Sequence, residues 1–304
     1  MMKRIIKAPS LKTGDMVALV APAGIVERDI IEDAVKVLES WGLSVSPGKH
    51  LYERHGIFAG TDAQRLADLQ VALDDPRLRA VICARGGYGV SRLIDGIDFR
   101  SFRRKPKWIV GYSDITVLHL FINSRLGIST LHAEMPLNYH KCDAGSATMT
   151  TLRHALFEGP ESQEWETGTW RQGEAEGIIT GGNLSLISNL MGTEIKSYLR
   201  GKILFIEEKG EAFYSLDRMI TGLSLAGVLK DLRGLIIGGL TDIRESDHRY
   251  AVNKEDIIME SVGKYDFPVA FDFPAGHTED NRAVALGSLI HMEVAGSKAS
   301  LHYR

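Results

Sequence analysis

Through the first half of the chain, short apolar runs alternate with stretches of helical periodicity. Val17-Ala18-Leu19-Val20-Ala21 is a continuous apolar run of strand length, followed by a helical pattern over 28–41 and by the strand-like Leu43-Ser44-Val45. Thr61-Asp62-Ala63-Gln64 has the spacing of a capping box, and Leu66, Leu69 and Leu73 recur behind it at helical intervals. Two further apolar runs, 80–84 and 107–111, each lead into a turn containing glycine or serine and then into a helix. Strands that are apolar throughout and alternate with helices predict a parallel sheet covered on both faces.

From 138 to about 173 the pattern weakens, interrupted by Lys141, Asp143, Gly145, Gly159, Pro160, Gly168 and Gly173. This predicts a linker over 141–173, between an N-terminal α/β domain at 1–140 and a C-terminal domain at 174–304. Elements resume with Gly177-Ile178-Ile179-Thr180, a helix after Asn183, a strand at 203–206 and a helix at 214–225. A strand at 234–238, a helix at 255–262 and short strands to the end complete a smaller, mixed α/β or β-rich domain. A length of 304 residues is long for one hydrophobic core and agrees with two domains.

Composition narrows the function classes. Apolar residues make up 44% and charged residues 25%, the balance of an ordinary soluble globular protein. A formal net charge of -3 gives no electrostatic case for nucleic acid or for an anionic membrane surface. Cys83 and Cys142 are too few for a disulfide framework or a thiolate zinc site, and Cys83 sits in the apolar run Ala80-Val81-Ile82-Cys83-Ala84 as a small core residue. Lys3, Arg4 and Lys7 begin the chain, but Pro9, Lys12 and Asp15 break up the adjoining stretch before an export-type apolar segment can form. No apolar run approaches the roughly 18 residues that span a bilayer. These features lead us to expect a cytoplasmic protein with no membrane segment.

The chemistry concentrates at strand ends. Lys107-Trp108-Ile109-Val110-Gly111-Tyr112-Ser113-Asp114-Ile115 runs from an apolar strand into a serine that opens a helix. Such a turn lifts a hydroxyl clear of the backbone and lets the first helix amides face a developing oxyanion. The same serine also suits a helix N-cap, and the G-x-S-x-G elbow is incomplete because Ile115 occupies the second glycine position.

Arg85-Gly86-Gly87-Tyr88-Gly89 follows the strand ending at Ala84. Glycines there let the backbone approach a ligand and leave amides pointing into the crevice. The run lacks the G-x-G-x-x-G spacing and any G-K-[ST], which favours a substrate or oxyanion loop over a phosphate loop. Arg85 suits a bidentate contact to a substrate carboxylate, and equally a structural ion pair. Glu207 ends the run 203–206, with Glu208, Glu211 and Asp217 as rival acids that spacing does not separate. Adjacent strand residues point to opposite faces, so Glu208 is expected to be close to neutral for the rate if Glu207 serves the site. His277 follows the Pro/Gly turn of Phe273-Pro274-Ala275-Gly276, a rigid mount for a general base, and His132 is a partial rival. No H-E-x-x-H or equivalent ligand spacing is present.

Taken together, Arg85 to Gly89, Trp108 to Asp114, Gly181-Gly182-Asn183-Leu184, Ile206-Glu207-Glu208 and Gly276-His277 resemble, in order and spacing, the LD-carboxypeptidases, serine peptidases that trim murein tetrapeptides. The resemblance runs from Ala21-Pro22-Ala23 through Phe58-Ala59-Gly60-Thr61 to Ala285-Leu286-Gly287. It implies a flavodoxin-like or amidotransferase-like N-terminal domain bearing the serine and a C-terminal domain supplying the other partners. The family's Ser-Glu-His triad maps onto Ser113, Glu207 and His277, which would release the terminal D-alanine through an acyl-enzyme. The amides of Gly87 and Asp114 would then form the oxyanion hole, and Arg85, Gly86, Tyr88 and Asn183 would touch the substrate. The resemblance further implies a cytoplasmic homodimer without metal or organic cofactor, acting on a murein tetrapeptide or related L,D-peptide. Two other functions fit the same scaffold: a microcin-immunity type peptidase cleaving a peptidyl- or aminoacyl-nucleotide, and a non-catalytic muropeptide sensor. The first needs an aromatic to stack a base, and Trp41, Trp108, Trp165 and Trp170 offer no evident one.

Overall fold

The computed structural model describes residues 5–168, 170–245 and 250–304. Lys3 and Arg4 of the basic opening lie outside them. The chain divides into two compact units, Met1–Glu161 with Asp280–Gly287, and Ser162–Glu279 with Ser288–Arg304. Among the described residues the strands, in chain order, are β1 (Met16–Val20), β2 (Ser44–Pro47), β3 (Leu78–Cys83), β4 (Trp108–Gly111), β5 (Thr130–His132), β6 (Gln163–Glu166), β7 (Gly173–Asn183), β8 (Ile203–Lys209), β9 (Gly234–Thr241), β10 (Val269–Ala270), β11 (Val284–Leu286), β12 (Leu289–Ala295) and β13 (Lys298–Tyr303).

The first unit holds a six-stranded sheet in the order β11-β5-β4-β3-β1-β2. β1 to β5 are parallel, and only β11 runs antiparallel, against β5. The apolar runs of β1, β3 and β4 are buried almost completely, as a sheet covered on both faces requires. The order 2-1-3-4-5 reverses direction between β1 and β3, and in open α/β sheets the crevice at such a switch point is where ligands bind. There the loops leaving β1 and β3 meet, with the Gly24 amide donating to the Gly86 carbonyl at 3.1 Å.

The capping box forms as its spacing predicts: Thr61 accepts from the Gln64 amide and Gln64 from the Thr61 amide, opening the helix Asp62–Asp74. Leu69 and Leu73 point inward, but Arg65 and Asp68 share that buried face while Leu66 is only half-buried. Lys107 caps the far end of this helix from within the core, donating to the carbonyls of Ala72 at 2.9 Å and Asp75 at 2.6 Å. Burial pulls its ammonium down to about 8.

The second unit is built on a seven-stranded mixed sheet, β10-β9-β8-β7-β12-β13-β6. β7 to β10 are parallel, and β12, β13 and β6 add antiparallel partners. β7 joins the two halves: its first residues pair with β12 and its last with β8.

Two boundaries differ from those read in the sequence. The stretch 141–173 contains the helix Ala147–Phe157, whose Ser146 cap accepts from the Met149 amide and whose Met149, Leu152, Ala155 and Leu156 are buried. Flanking glycines hide this short amphipathic pattern, and the division between units falls at its far side, between Glu161 and Ser162. Residues 280–287, expected in the C-terminal domain, return to the first unit, because β11 completes the edge of β5. Three apolar residues carry no local mark of the sheet they join. Among the described residues no helix is long and apolar enough to cross a membrane.

Candidate active site

Ser113 stands just past the carboxyl end of β4. Gly111 closes the strand, Tyr112 is extended, and a single turn at Ser113–Ile115 leads into the helix Thr116–Leu126. Ser113 itself has φ +62°, one of the few non-glycine residues here in the left-handed region. That conformation costs a non-glycine residue about 1–3 kcal/mol, which the surrounding structure must offset. The N-cap reading does not hold: the cap positions are Tyr112 and Ile115, and neither carries a side-chain cap.

The incomplete elbow motif has a structural answer. Ile115 is fully buried beneath the turn, where a Cβ on Gly111 would meet its Cγ1 at 2.9 Å. The close approach that a second glycine would allow comes from the neighbouring loop instead. A Cβ on Gly86 would lie 2.8 Å from Ser113 Cβ, 3.0 Å from its Oγ and 3.4 Å from the Asp114 amide nitrogen. The missing side chain at 86 thus keeps the space above the serine and the first helix amide open.

Asp114 is fully buried, and its Oδ2 accepts from the Val90 amide at 2.9 Å. Burial pushes its carboxyl up to about 6, against the opposing pull of the Val90 amide and the Arg65 guanidinium. In the 85–89 loop, Gly87 is exposed at φ +118°, while Arg85 donates Nη1 to the Ile25 carbonyl at 2.7 Å. Arg85 therefore braces the loop after β1, a contact invisible in the sequence. Tyr88 is 48% exposed and packs against Phe58, with ring centroids 5.8 Å apart.

In the second unit, Glu207 and His277 meet: Nδ1 and Oε2 are 2.6 Å apart, and the His277 amide donates to the same oxygen at 3.3 Å. Glu207 lies near the end of β8, where the ladder to β9 shifts register between Ile206 and Glu208, an irregularity of the kind that re-aims a side chain. Its side chain is fully buried, and that of His277 is 18% exposed. Burial alone would push the imidazole down, but the hydrogen bond and charge of Glu207 outweigh it and leave His277 above its ordinary value. The bond also fixes the tautomer, placing the proton on Nδ1 and leaving Nε2 as the basic nitrogen when the ring is neutral.

Gly276 makes this pair possible. It has φ +102°, and a Cβ there would fall 2.6 Å from Glu207 Cβ and 2.8 Å from Oε2. Gly276→Ala is expected to cost about 2–4 kcal/mol in thermal unfolding and to depress kcat, since loop and carboxylate cannot both keep their places. An unchanged melting temperature together with the parent rate would show that the loop does not rest on Glu207.

The rival acids are committed elsewhere in the same unit. Glu208 is buried and accepts from Asn183 Nδ2 at 2.9 Å, the Ser185 amide at 2.7 Å and the Lys209 amide at 2.9 Å. Glu211 accepts from Ser215 Oγ, and Asp217 from Tyr250 and Thr221. Asn183, expected to touch substrate, caps the helix Leu184–Asn189 and is buried. His132 lies within the first unit's core, its ring 5.7 Å from that of Tyr112. Among the described residues no group of three or more His, Cys, Asp or Glu could hold a metal ion. Trp108 and Trp165 are core residues and Trp170 packs on Phe271, so none of these three is presented for stacking a base.

A serine raised on a strained strand-to-helix turn and an imidazole held by a buried carboxylate are the working parts of a serine hydrolase. The sequence matches the LD-carboxypeptidase N-terminal domain over residues 17–133 and the LD-carboxypeptidase C-terminal domain over residues 176–292. The chain belongs to the LD-carboxypeptidase family and is a serine-type carboxypeptidase. A probable murein peptide carboxypeptidase of Bacillus subtilis (strain 168) is 34% identical over 297 residues, covering 96% of this chain and 93% of the relative. The crystal structure of muramoyltetrapeptide carboxypeptidase from Oxalobacter formigenes superposes with a TM-score of 0.87 at 27% identity, covering 95% of this chain and 98% of that one. The Microcin C7 self immunity protein MccF in complex with aspartyl sulfamoyl adenosine also reaches a TM-score of 0.87, with 99% of each chain covered, but at 18% identity it shares the fold alone.

Proposed function

We propose that this protein cleaves the L,D peptide bond of murein tetrapeptides and releases the terminal D-alanine, with Ser113 as nucleophile, His277 as general base and Glu207 as its orienting carboxylate. The observation that carries the reading is the 2.6 Å contact between His277 Nδ1 and Glu207 Oε2, made by a fully buried acid to a partly exposed imidazole. His277 Nε2 takes the Ser113 proton as the hydroxyl attacks the scissile carbonyl, and Glu207 stabilises the imidazolium that forms. The amides of Asp114 and Gly87 receive the oxyanion, an arrangement in which each donor contributes about 3–4 kcal/mol to the barrier. The imidazolium then protonates the leaving D-alanine amine, and water repeats the sequence on the acyl-enzyme. Tyr88, exposed within the 85–89 loop, is the best placed of the expected substrate contacts. Arg85 and Gly86 would act chiefly by shaping that loop, and Asn183 by capping the helix Leu184–Asn189 and holding Glu208 in the second unit. The names of the relatives support the murein substrate, and the family resemblance supports a cytoplasmic homodimer.

The test is digestion of a murein tetrapeptide, a tripeptide control and an aminoacyl sulfamoyl nucleotide, each followed by mass spectrometry. Loss of one D-alanine from the tetrapeptide alone is the expected result. Cleavage of the nucleotide conjugate alone would replace this reading with a microcin-immunity one, and binding without turnover with a sensor. Chelators are expected to leave D-alanine release unchanged, since the proposed electrophilic help comes from backbone amides. Loss of activity in EDTA with recovery on added zinc would overturn that expectation.

A further inference from the structure

The Asp114 carboxylate is not used by the mechanism above, which takes only that residue's backbone amide. Yet it is fully buried, directly follows the nucleophile and reaches across to the neighbouring loop, where Oδ2 accepts from the Val90 amide at 2.9 Å. Val90 is the first residue after the Arg85-Gly86-Gly87-Tyr88-Gly89 run. At its near end this run is already tied down, with the Ala84 amide donating to the Val20 carbonyl at 2.7 Å and the Gly86 carbonyl accepting from the Gly24 amide at 3.1 Å. At its far end Gly89 has φ +134°, and a Cβ there would lie 2.6 Å from Arg65 Nη1. Only a glycine lets the chain turn there and deliver the Val90 amide to Asp114.

From this geometry we infer that the Asp114 side chain is a positioning residue that clamps the 85–89 loop against the nucleophile turn, fixing the spacing between the Gly87 and Asp114 amides. The inference rests on the proposed function, in which those two amides receive the oxyanion. One residue then serves both sides of the oxyanion hole, supplying one donor through its backbone and holding the loop that bears the other through its carboxylate. Preorganised donors act on the transition state more than on the bound substrate, so losing the clamp should reduce kcat and spare KM. A residue needed only for the fold would lower the amount of native protein, not split the two constants.

Asp114→Ala removes the acceptor and leaves the Val90 amide buried without a partner. Asp114→Asn keeps an acceptor oxygen at nearly the same place. Both variants are measured by amide hydrogen exchange over 85–90 and by kcat and KM on a murein tetrapeptide. The expected result for Asp114→Ala is exchange at least tenfold faster over 85–90, kcat lowered about 10- to 100-fold and KM within threefold of the parent. Asp114→Asn should recover most of both losses relative to Asp114→Ala.

Unchanged exchange in Asp114→Ala overturns the clamp whatever the activity, and faster exchange with the parent kcat overturns its role in the rate. If Asp114→Ala does not fold, Asp114→Asn decides: native melting with kcat more than 100-fold down would show that hydrogen-bond acceptance is not what matters. A parent enzyme inactive on the tetrapeptide would refute the proposed function, and the exchange measurement would still judge the clamp.

Discussion

Ser113→Ala is expected to lower kcat for D-alanine release by about 10⁵–10⁶-fold while leaving the melting temperature within a degree or two of the parent. The size follows from the proposed triad: if Ser113 is the nucleophile, without it the other members have nothing to activate, and only about 10³–10⁴-fold over water persists through binding and oxyanion stabilisation. The thermal result follows from the backbone. Ser113 makes no helix cap, so alanine removes no capping bond, and it inherits the same φ of +62°. Ser113→Gly separates the two effects further. Glycine adopts that φ without strain, so this variant should be as inactive as alanine and about 1 kcal/mol more stable. A Ser113→Ala enzyme with the parent rate would remove the nucleophile assignment, and a Ser113→Gly enzyme less stable than the parent would remove the claim of strain.

Glu207→Gln is expected to lower kcat about 10⁴-fold with a modest change in KM, because an amide can present the wrong group to Nδ1 and cannot stabilise the imidazolium. Its pH profile adds a second signature. In the parent, burial pushes His277 down but the Glu207 hydrogen bond and charge hold it above its ordinary value, so activity should fall away as pH drops through a limb lying above about 6.5. Removing the Glu207 charge leaves burial to dominate, and the limb should move to lower pH even as the plateau collapses. The stability linkage has the matching sign. A raised folded-state value means that the pair's stabilisation is fully present below the unfolded value and fades as pH rises through the folded one. A parent limb below 6.5, or a limb that does not move in Glu207→Gln, would show that Glu207 does not set the imidazole.

Glu208→Gln is the control that separates the neighbours. Its carboxylate takes three donors, so a glutamine oxygen can keep those from Asn183 and Lys209 while its NH₂ opposes the Ser185 amide. A buried unsatisfied donor costs about 1–3 kcal/mol, so this variant should lose stability and keep most of its kcat. An essential Glu208 beside a dispensable Glu207 would shift the triad by one residue.

The parts legible in the sequence are those with a local signature. The apolar runs of β1, β3 and β4, the Thr61 box and the strand-to-helix turn at Ser113 each lie within a dozen residues and obey rules of period and capping. The acid is a different problem. Four carboxylates lie between 207 and 217, and only the register slip in β8 and the contacts of Glu208, Glu211 and Asp217 separate them by where each points. The expectation for Asn183 meets the same limit, since the residue that looks available in a string is occupied as a cap in the fold. Gly86 and Gly276 look like turn formers along the chain, but their main service is empty space, above Ser113 and against Glu207. Space is a relation between distant segments, and no pattern along one segment encodes it.

The return of Asp280–Gly287 to the first unit bears on how this gene can be cut. The two halves look separable, yet a fragment ending at Glu161 would lack β11 and expose the edge of β5, three residues that are fully buried in the intact chain. It would also lose Asn281, whose amide group donates to the buried Glu134 carboxylate at 3.0 Å. An unpaired strand edge is a template for association between chains. Expression of the N-terminal half alone should therefore give aggregate, and a usable split would have to carry 280–287 along, as a tethered strand or a circular permutant.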